Sequence, residues 1–173
     1  KAPLLVQATL MMSHLPIRSR GTIGGSVAHA DPASEYPAVM LALEAVFVVQ
    51  GTGGTRRVRA ADFFRGLFET AIEPSEILVE IEIPAARQDQ RFAFDEVSRR
   101  RGDFAIVGIA AALTLSQRRI VVASLTACGV GAGPVKLGEA ERVLEGQPNG
   151  ADVLRAAADA AAKSVEPQAD LHA

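Results

Sequence analysis

Apolar residues recur along the first half of the chain in two different periods, and each period predicts its own kind of element. Leu4 and Ala8 recur at helical spacing ahead of Pro16, which is expected to end that helix. Isoleucines that alternate with Glu80 and Glu82 indicate a half-buried strand. The whole pattern predicts helices over residues 3–13, 35–43 and 60–68, and strands over residues 46–49, 56–59 and 77–83.

The second half of the chain has the pattern of antiparallel strands followed by helices. A polar, proline-bearing stretch at residues 84–90 separates the halves and is a candidate domain boundary. Four polar residues, 116–119, join two apolar runs and indicate a long hairpin. Because hairpins replace crossover connections, the predicted fold class is α+β. The pattern predicts strands over residues 92–97, 105–115 and 120–129, and helices over residues 137–144 and 151–164.

Composition narrows the classes of function that the chain can serve. With 173 residues, 49% of them apolar, and a net charge of −2, it can bury a core but has no overall charge that attracts nucleic acid. Its one cysteine, Cys128, cannot hold an iron–sulfur cluster or a structural zinc and is expected to be a small buried residue of a strand. His14, His29 and His172 have no second ligand at metal spacing, so no metal site is predicted. No apolar run has the length of a membrane span, and a reducing, cytoplasmic setting is expected.

A glycine-rich segment at residues 22–32 is the strongest candidate for chemistry in the chain. Gly24 and Gly25 allow close backbone approach and positive φ, and the exposed N–H groups of such a turn can surround a phosphate. No P-loop lysine follows them, and the G-x-G-x-x-G spacing is absent. The segment is predicted to be an irregular loop between a helix ending near Ser13 and a helix starting near Glu35. A plain turn without a ligand is the alternative.

A family resemblance rests on two longer strings, HLPIRSRGTIGGSVAHADPASEYP at residues 14–37 and FAFDEVSRRRGDFA at residues 92–105. Both are similar to segments of the FAD-binding medium subunit of the molybdenum hydroxylases, of the carbon monoxide dehydrogenase and xanthine dehydrogenase type. The resemblance implies the second half of a p-cresol methylhydroxylase-type FAD-binding domain at residues 1–86. It also implies a small C-terminal domain of the carbon monoxide dehydrogenase flavoprotein type, a three-stranded antiparallel sheet backed by helices, at residues 87–173.

The resemblance also implies which residues contact FAD. Glu35 would accept hydrogen bonds from ribityl or ribose hydroxyls, or else serve only the charge balance of a helix start. Phe104 would shield one flavin face, or else pack in a core. Asp31 is the competing acid and is more readily a turn residue, His29 would face the flavin or cap the loop, and the arginines at residues 99–101 indicate a solvated turn. No catalytic residue is implied. The implied cofactor contacts are Thr22, Ile23, Gly24, Gly25, Ser26, Glu35 and Phe104.

The expected function follows from the resemblance. A medium subunit would relay electrons from a molybdenum cofactor on a large subunit and 2Fe-2S clusters on a small subunit, through FAD, to an external acceptor. The family's first flavin motif, a glycine-rich A-G-G-x-S-L loop, has no counterpart in the chain, so an N-terminally truncated piece of the subunit is expected. The alternative is a non-catalytic module that docks on partner subunits and does not bind FAD by itself.

Overall fold

The structure, a computed structural model, describes residues 2–166 and contains two main antiparallel sheets surrounded by helices. His172 lies outside the described residues. The first half of the chain forms α1 (Pro3–Met11), α2 (Leu15–Arg18), α3 (Ile23–His29), α4 (Glu35–Ala42), β1 (Val46–Gly51), β2 (Gly54–Arg59), α5 (Ala60–Phe63), β3 (Phe64–Gly66), β4 (Glu69–Thr70) and β5 (Ile77–Glu82). The second half forms β6 (Gln90–Ser98), β7 (Ala105–Ser116), β8 (Arg119–Cys128), β9 (Val135–Lys136), α6 (Gly138–Leu144) and α7 (Ala151–Lys163).

The first sheet has the strand order β2-β1-β5, with antiparallel pairing on both sides of β1. Phe47 and Val49 alternate along β1 and point into the first core, where both are fully buried. Phe47 packs against Phe63 of α5 with the two ring centroids 4.1 Å apart. Strand β5 has no further strand partner within residues 2–166, and its Ile77 and Val79 are 65% and 45% exposed. The first sheet therefore keeps an open apolar edge.

The second sheet, of order β6-β7-β8-β9, lies between two layers of helices. On one face Ala110 of β7 and Cys128 of β8 pack with Leu4 of α1 and with residues of α4. On the other face Ile120 of β8 packs with Leu144 of α6 and with residues of α7. Cys128 is a buried free cysteine in a strand, as predicted. Because α1 and α4 come from the first half of the chain, the two halves share a core.

Helix α4 belongs to both cores at once. Tyr36 and Met40, four residues apart, pack in the core of the first sheet. Ala38, Val39 and Ala42 pack against the second sheet. A helix that is apolar on all sides is stable only when neighbours cover it on all sides, which is the position of α4 here. Because α4 packs against both sheets, its first turn lies at the junction between the two halves.

The β7–β8 hairpin is confirmed, although its turn is tighter than predicted. The two strands pair antiparallel from Gly108 opposite Cys128 to Ser116 opposite Arg119. Only two residues, Gln117 and Arg118, connect them, and their φ angles are 48° and 64°. Positive φ at both positions is the signature of a type I′ turn, whose twist matches that of the flanking strands. The four-residue polar turn of the prediction therefore includes one paired residue from each strand.

Three other predictions about elements are wrong. The helix predicted over residues 60–68 ends at Phe63 because the chain turns directly into the small β3–β4 hairpin. The second sheet has four strands rather than three, since the short β9 pairs with β8. Pro16 does not end the first helix, which stops at Met11. It lies in the first turn of α2, where a missing backbone N–H costs nothing.

Candidate functional site

A cavity of about 1200 Å³ opens where the first helices meet the turn between β6 and β7. Its walls come from the end of α1, from α2 and α3, from the start of α4 and from residues 99–104. Ligand pockets commonly measure about 300–1,000 Å³, so this cavity has room for a large ligand. Gly24, expected to contact a cofactor, is not among the lining residues. The other expected contacts all line the cavity: Thr22, Ile23, Gly25, Ser26, Glu35 and Phe104.

The glycine-rich segment is largely helical, so the prediction of an irregular loop over residues 22–32 is wrong. Helix α3 begins at Ile23 and continues through both glycines. Thr22 is its N-cap, and the Thr22 Oγ1 accepts a hydrogen bond from the Gly25 N–H at 2.9 Å. A threonine cap contributes about 1 kcal/mol, which is comparable to the cost of one glycine in a helix. The full burial of Val27 adds the packing that local propensity does not supply.

The two glycines differ in the space that surrounds them. A Cβ at Gly25 would lie 2.9 Å from the Thr22 Oγ1, so any side chain there would press on the cap. A Cβ at Gly24 would meet no atom within 4 Å. Neither has a positive φ, in contrast to Gly102, whose φ is 87°. The expectation that Gly25 provides a left-handed backbone is therefore wrong, and its role in this structure is to leave room for the threonine cap.

Polar contacts fix the joint between α3 and α4 at the cavity wall. The Ser26 and Ser34 hydroxyls are 3.1 Å apart and form a hydrogen bond. The Asp31 Oδ1 accepts a hydrogen bond from the Ala33 N–H at 2.9 Å, which is an Asx turn and agrees with the turn role expected for this acid. This joint places Glu35 in the first turn of α4 and in the wall of the cavity.

Glu35 is a buried carboxyl beside an open cavity. Only 5% of the residue is exposed. Burial raises the pKa of Glu35 from 4.5 to about 7, a hydrogen bond from its own backbone N–H opposes this, and the charges of Glu96 and Asp31 raise the pKa further. Near neutral pH the group is therefore present in protonated and ionised forms. It can either donate or accept a hydrogen bond with a ligand.

The turn between β6 and β7 forms another wall. A Cβ at Gly102 would lie 2.8 Å from the His14 Nδ1, so the turn packs closely on the segment between α1 and α2. Phe104 is 49% exposed and lines the cavity, which disagrees with the alternative role in a core. The arginines of this turn are exposed, as predicted, and Arg100 pairs with Asp103 at 3.1 Å.

Sequence reasoning missed the wall that the α1–α2 region provides. Arg18 donates a hydrogen bond from its Nη1 to the Thr9 carbonyl at 3.0 Å, and the hydroxyls of Thr9 and Tyr36 are 3.1 Å apart. The string that carries the family resemblance begins at His14, so it held a signal for part of this wall, whereas Thr9 carries none. In this region and at the facing position of α4, the missed lining residues are Thr9, Met12, Ser13, His14, Ile17, Arg18 and Tyr36.

The remaining candidates for chemistry, His29 and Cys128, are held by packing contacts. His29 lines the cavity and packs against Phe68, with the ring centroids 5.0 Å apart, so it forms part of the wall instead of capping a loop. Burial raises the pKa of the Cys128 thiol to about 12, which keeps it protonated. Residues 2–166 contain no group of three or more His, Cys, Asp or Glu side chains placed to hold a metal ion. In the same range no helix has the length and apolar character that crossing a membrane requires.

Two family models match the chain and together cover nearly all of it. The FAD binding domain in molybdopterin dehydrogenase matches residues 1–86. The CO dehydrogenase flavoprotein C-terminal domain matches residues 92–173. Glu35 lies in the first matched segment and Phe104 in the second, so the cavity is built from both.

Named relatives match along almost the whole chain. It is 38% identical to the 6-hydroxypseudooxynicotine dehydrogenase complex subunit alpha of Paenarthrobacter nicotinovorans, over 98% of this chain and 58% of that protein. It is 34% identical to the carbon monoxide dehydrogenase medium chain of Hydrogenophaga pseudoflava, over 99% of this chain and 60% of that protein. The chain thus spans about three-fifths of the length of these relatives.

Solved structures show the same architecture. Carbon monoxide dehydrogenase from Hydrogenophaga pseudoflava superposes with a TM-score of 0.93 at 36% identity, over 98% of this chain and 59% of that chain. Quinoline 2-oxidoreductase from Pseudomonas putida 86 superposes with a TM-score of 0.89 at 35% identity, also over 98% of this chain and 59% of that chain. The predicted α+β fold, part of an FAD-binding domain followed by an antiparallel sheet with helices, is confirmed. The chain belongs to the family of FAD-binding medium subunits of the molybdenum hydroxylases.

Proposed function

We propose that the cavity binds FAD and that the chain is the flavin-holding part of an oxidoreductase subunit. The observation that carries this proposal is that residues distant in sequence meet at one cavity. Six of the seven residues that the family resemblance assigns to the flavin line one cavity, although they come from Thr22–Ser26, Glu35 and the distant Phe104. A cavity of about 1200 Å³ also suits a ligand as long as a dinucleotide.

The side chains around the cavity fit the chemical parts of FAD. Thr22 and Ser26 offer hydroxyls to the pyrophosphate and ribityl region, and Glu35 offers a carboxyl to the hydroxyls of the ribityl chain. The half-exposed ring of Phe104 offers a flat apolar face to the isoalloxazine. Gly24, which lies outside the lining, would act only as part of the first turn of α3. When bound, FAD supplies the redox chemistry, while this chain binds and orients it.

The wider role that we propose is an electron relay. Electrons would come from a molybdenum cofactor on a large subunit and 2Fe-2S clusters on a small subunit, and they would leave FAD for an external acceptor. The chain itself has a single, deeply buried cysteine, so clusters of this kind belong on partner chains. The names of the relatives, a dehydrogenase complex subunit and a dehydrogenase medium chain, support such an assembly. A cytoplasmic location is part of the same proposal.

A second candidate is a module that docks on partner subunits without holding FAD by itself. Apolar side chains exposed on α1 and on the β5 edge, such as Leu10 and Ile77, favour it. The family resemblance favours it as well, because the family holds FAD with two glycine-rich motifs and this chain has a counterpart of only the second, residues 22–32. Weak binding of FAD by the 173-residue chain is therefore expected.

Calorimetric or fluorescence titration with FAD separates the two candidates. Saturable binding in the micromolar to millimolar range supports the flavin site, and Gly25→Val should abolish it because the new side chain displaces the Thr22 cap. Gly24→Val is the matched control, since the same change there meets open space. Circular dichroism of both variants would check that they fold. No binding at millimolar FAD would favour the docking module, and submicromolar stoichiometric binding would show that the glycine-rich motif at residues 22–32 suffices.

A further inference from the structure

We infer that Glu35 and Glu96 form a buried carboxyl pair behind the cavity wall, and that FAD enters the cavity together with a proton taken up by Glu35. The inference rests on the proposed function, because it assigns the residue that couples flavin binding to protonation. It concerns the floor of the site, where the family resemblance assigns a role to Glu35 and none to Glu96.

Glu96 lies on the face of the second sheet that α4 covers, with one of its carboxyl oxygens buried. Its Oε2 is fully buried and has no hydrogen-bond partner among residues 2–166. A Cβ at Gly108 would lie 3.4 Å from the Glu96 Cβ and 2.7 Å from the Cys128 Sγ, so Glu96 shares the sheet face that α4 covers. Glu35 opens that same helix. Burying a carboxylate is costly, so burial raises the pKa of both Glu35 and Glu96.

Both charges that shift the pKa of Glu35 are acidic. Asp31 faces it from the α3–α4 joint and Glu96 faces it from β6. The Cys128 thiol of β8 stays protonated and adds no positive charge. No ion pair joins Glu35 to a cation in the described part of the chain. The other titratable or charged side chains around the cavity are His14, Arg18, His29, Tyr36, Arg99, Arg100 and Asp103.

Binding of FAD would shift the protonation equilibrium of Glu35 further toward its protonated form. FAD brings the negative charges of its two phosphates and displaces water from the cavity, and both effects favour the protonated form of Glu35. A proton is therefore taken up wherever Glu35 is ionised before binding. With a starting pKa of about 7, FAD affinity is fully present well below pH 7 and is lost as pH rises above it. The expected loss is about tenfold between pH 6 and pH 8.

Calorimetry in two buffers of different ionisation enthalpy measures the proton directly. At pH 7.5 the 173-residue chain should take up more than half a proton per FAD, seen as a buffer-dependent binding enthalpy. Glu35→Gln should remove most of that dependence and flatten the affinity between pH 6 and pH 8. Glu80→Gln, the same change on the exposed part of β5, should leave both quantities unchanged.

The Glu96→Gln variant tests the pair. Removal of the second carboxyl should lower the pKa of Glu35, so the fall in FAD affinity begins at a lower pH, an effect that a purely structural role of Glu96 would not produce. Equal binding enthalpies in the two buffers, or an unchanged proton uptake in Glu35→Gln, overturn the inference and leave FAD binding intact. If FAD fails to bind even at pH 6, the proposed function falls, and carbon-13 NMR titration of the Glu35 carboxyl decides the rest. A midpoint near 4.5 refutes the pair, and a midpoint near 7 that drops in Glu96→Gln supports it.

Discussion

The second sheet has helices packed on both faces, whereas the first sheet is left open along β5. In the second sheet, α1 and α4 cover one face and α6 and α7 cover the other, so residues such as Ile120 and Cys128 are fully buried. In the first sheet the inner side is packed around Phe47, while Ile77 and Val79 project from an unpaired edge. The difference teaches that the two halves contribute unequally. The second half forms a sheet with helices on both faces. The first half supplies most of the cavity wall and also an exposed apolar surface that further polypeptide can cover.

The comparison is tested most severely by removing the centre of the first core. Phe47→Ala should lower the free energy of unfolding by about 3–5 kcal/mol, because the deleted ring leaves a void among Val49, Phe63 and their neighbours. Urea denaturation followed by circular dichroism measures it. A loss below about 1 kcal/mol would mean that the first core is loosely packed despite its complete burial.

The junction of the two halves should show its own pH dependence. Because the pKa of Glu35 is raised in the folded state, to about 7 from 4.5, its contribution to stability is fully present below pH 4.5 and is lost as pH rises to about 7. The change is at most about 3 kcal/mol. Glu35→Gln should flatten the stability profile between pH 5 and pH 7.5, measured by urea denaturation. A wild-type profile with the opposite slope across that window would contradict the raised pKa.

A pair of alanine variants tests the helix start that carries the glycine motif. Gly24→Ala should stabilise α3 by up to about 1 kcal/mol, since alanine costs less conformational entropy and meets open space. Gly25→Ala gains the same propensity but presses on the Thr22 cap, so it should be less stable than Gly24→Ala by about 1 kcal/mol. Thermal unfolding of the two variants side by side gives the difference. Equal melting temperatures would show that the cap relaxes without cost.

The smallest effect on stability is expected at the open edge itself. Ile77→Lys should change the free energy of unfolding by less than about 0.5 kcal/mol, because the side chain is already exposed. It should nevertheless reduce concentration-dependent association, since a charge on an edge strand disfavours strand addition. Val122→Lys, at an exposed position of the covered sheet, is the matched control. Light scattering over a range of protein concentrations would show no difference between them if β5 is not an association site.

The parts of the fold that repeat a simple period were predictable, and the parts that depend on distant neighbours were not. The apolar runs on either side of a polar turn predict the β7–β8 hairpin, and an alanine-rich helical pattern predicts α7. The helix through Gly24 and Gly25 does not, because its stability comes from one cap and from the burial of Val27. Likewise the family resemblance assigned a role to Glu35. Glu96 lies in the second family string without an assigned role, and its effect on Glu35 acts across 61 positions of sequence, so no local signal marks the pair.

Helices α1 and α4 have a consequence for inheritance. They precede the first sheet in the sequence, yet they cover one face of the second sheet, where Ala38 and Val39 pack with Ala110 and Cys128. Residues 92–173 on their own would therefore face water with a bare sheet. Recombination that exchanged one half between relatives would pack α1 and α4 of one protein against the second sheet of another, whose side chains do not match them. Substitutions on the two sides of this contact are expected to change together over evolutionary time, so that the two halves descend as a single heritable unit.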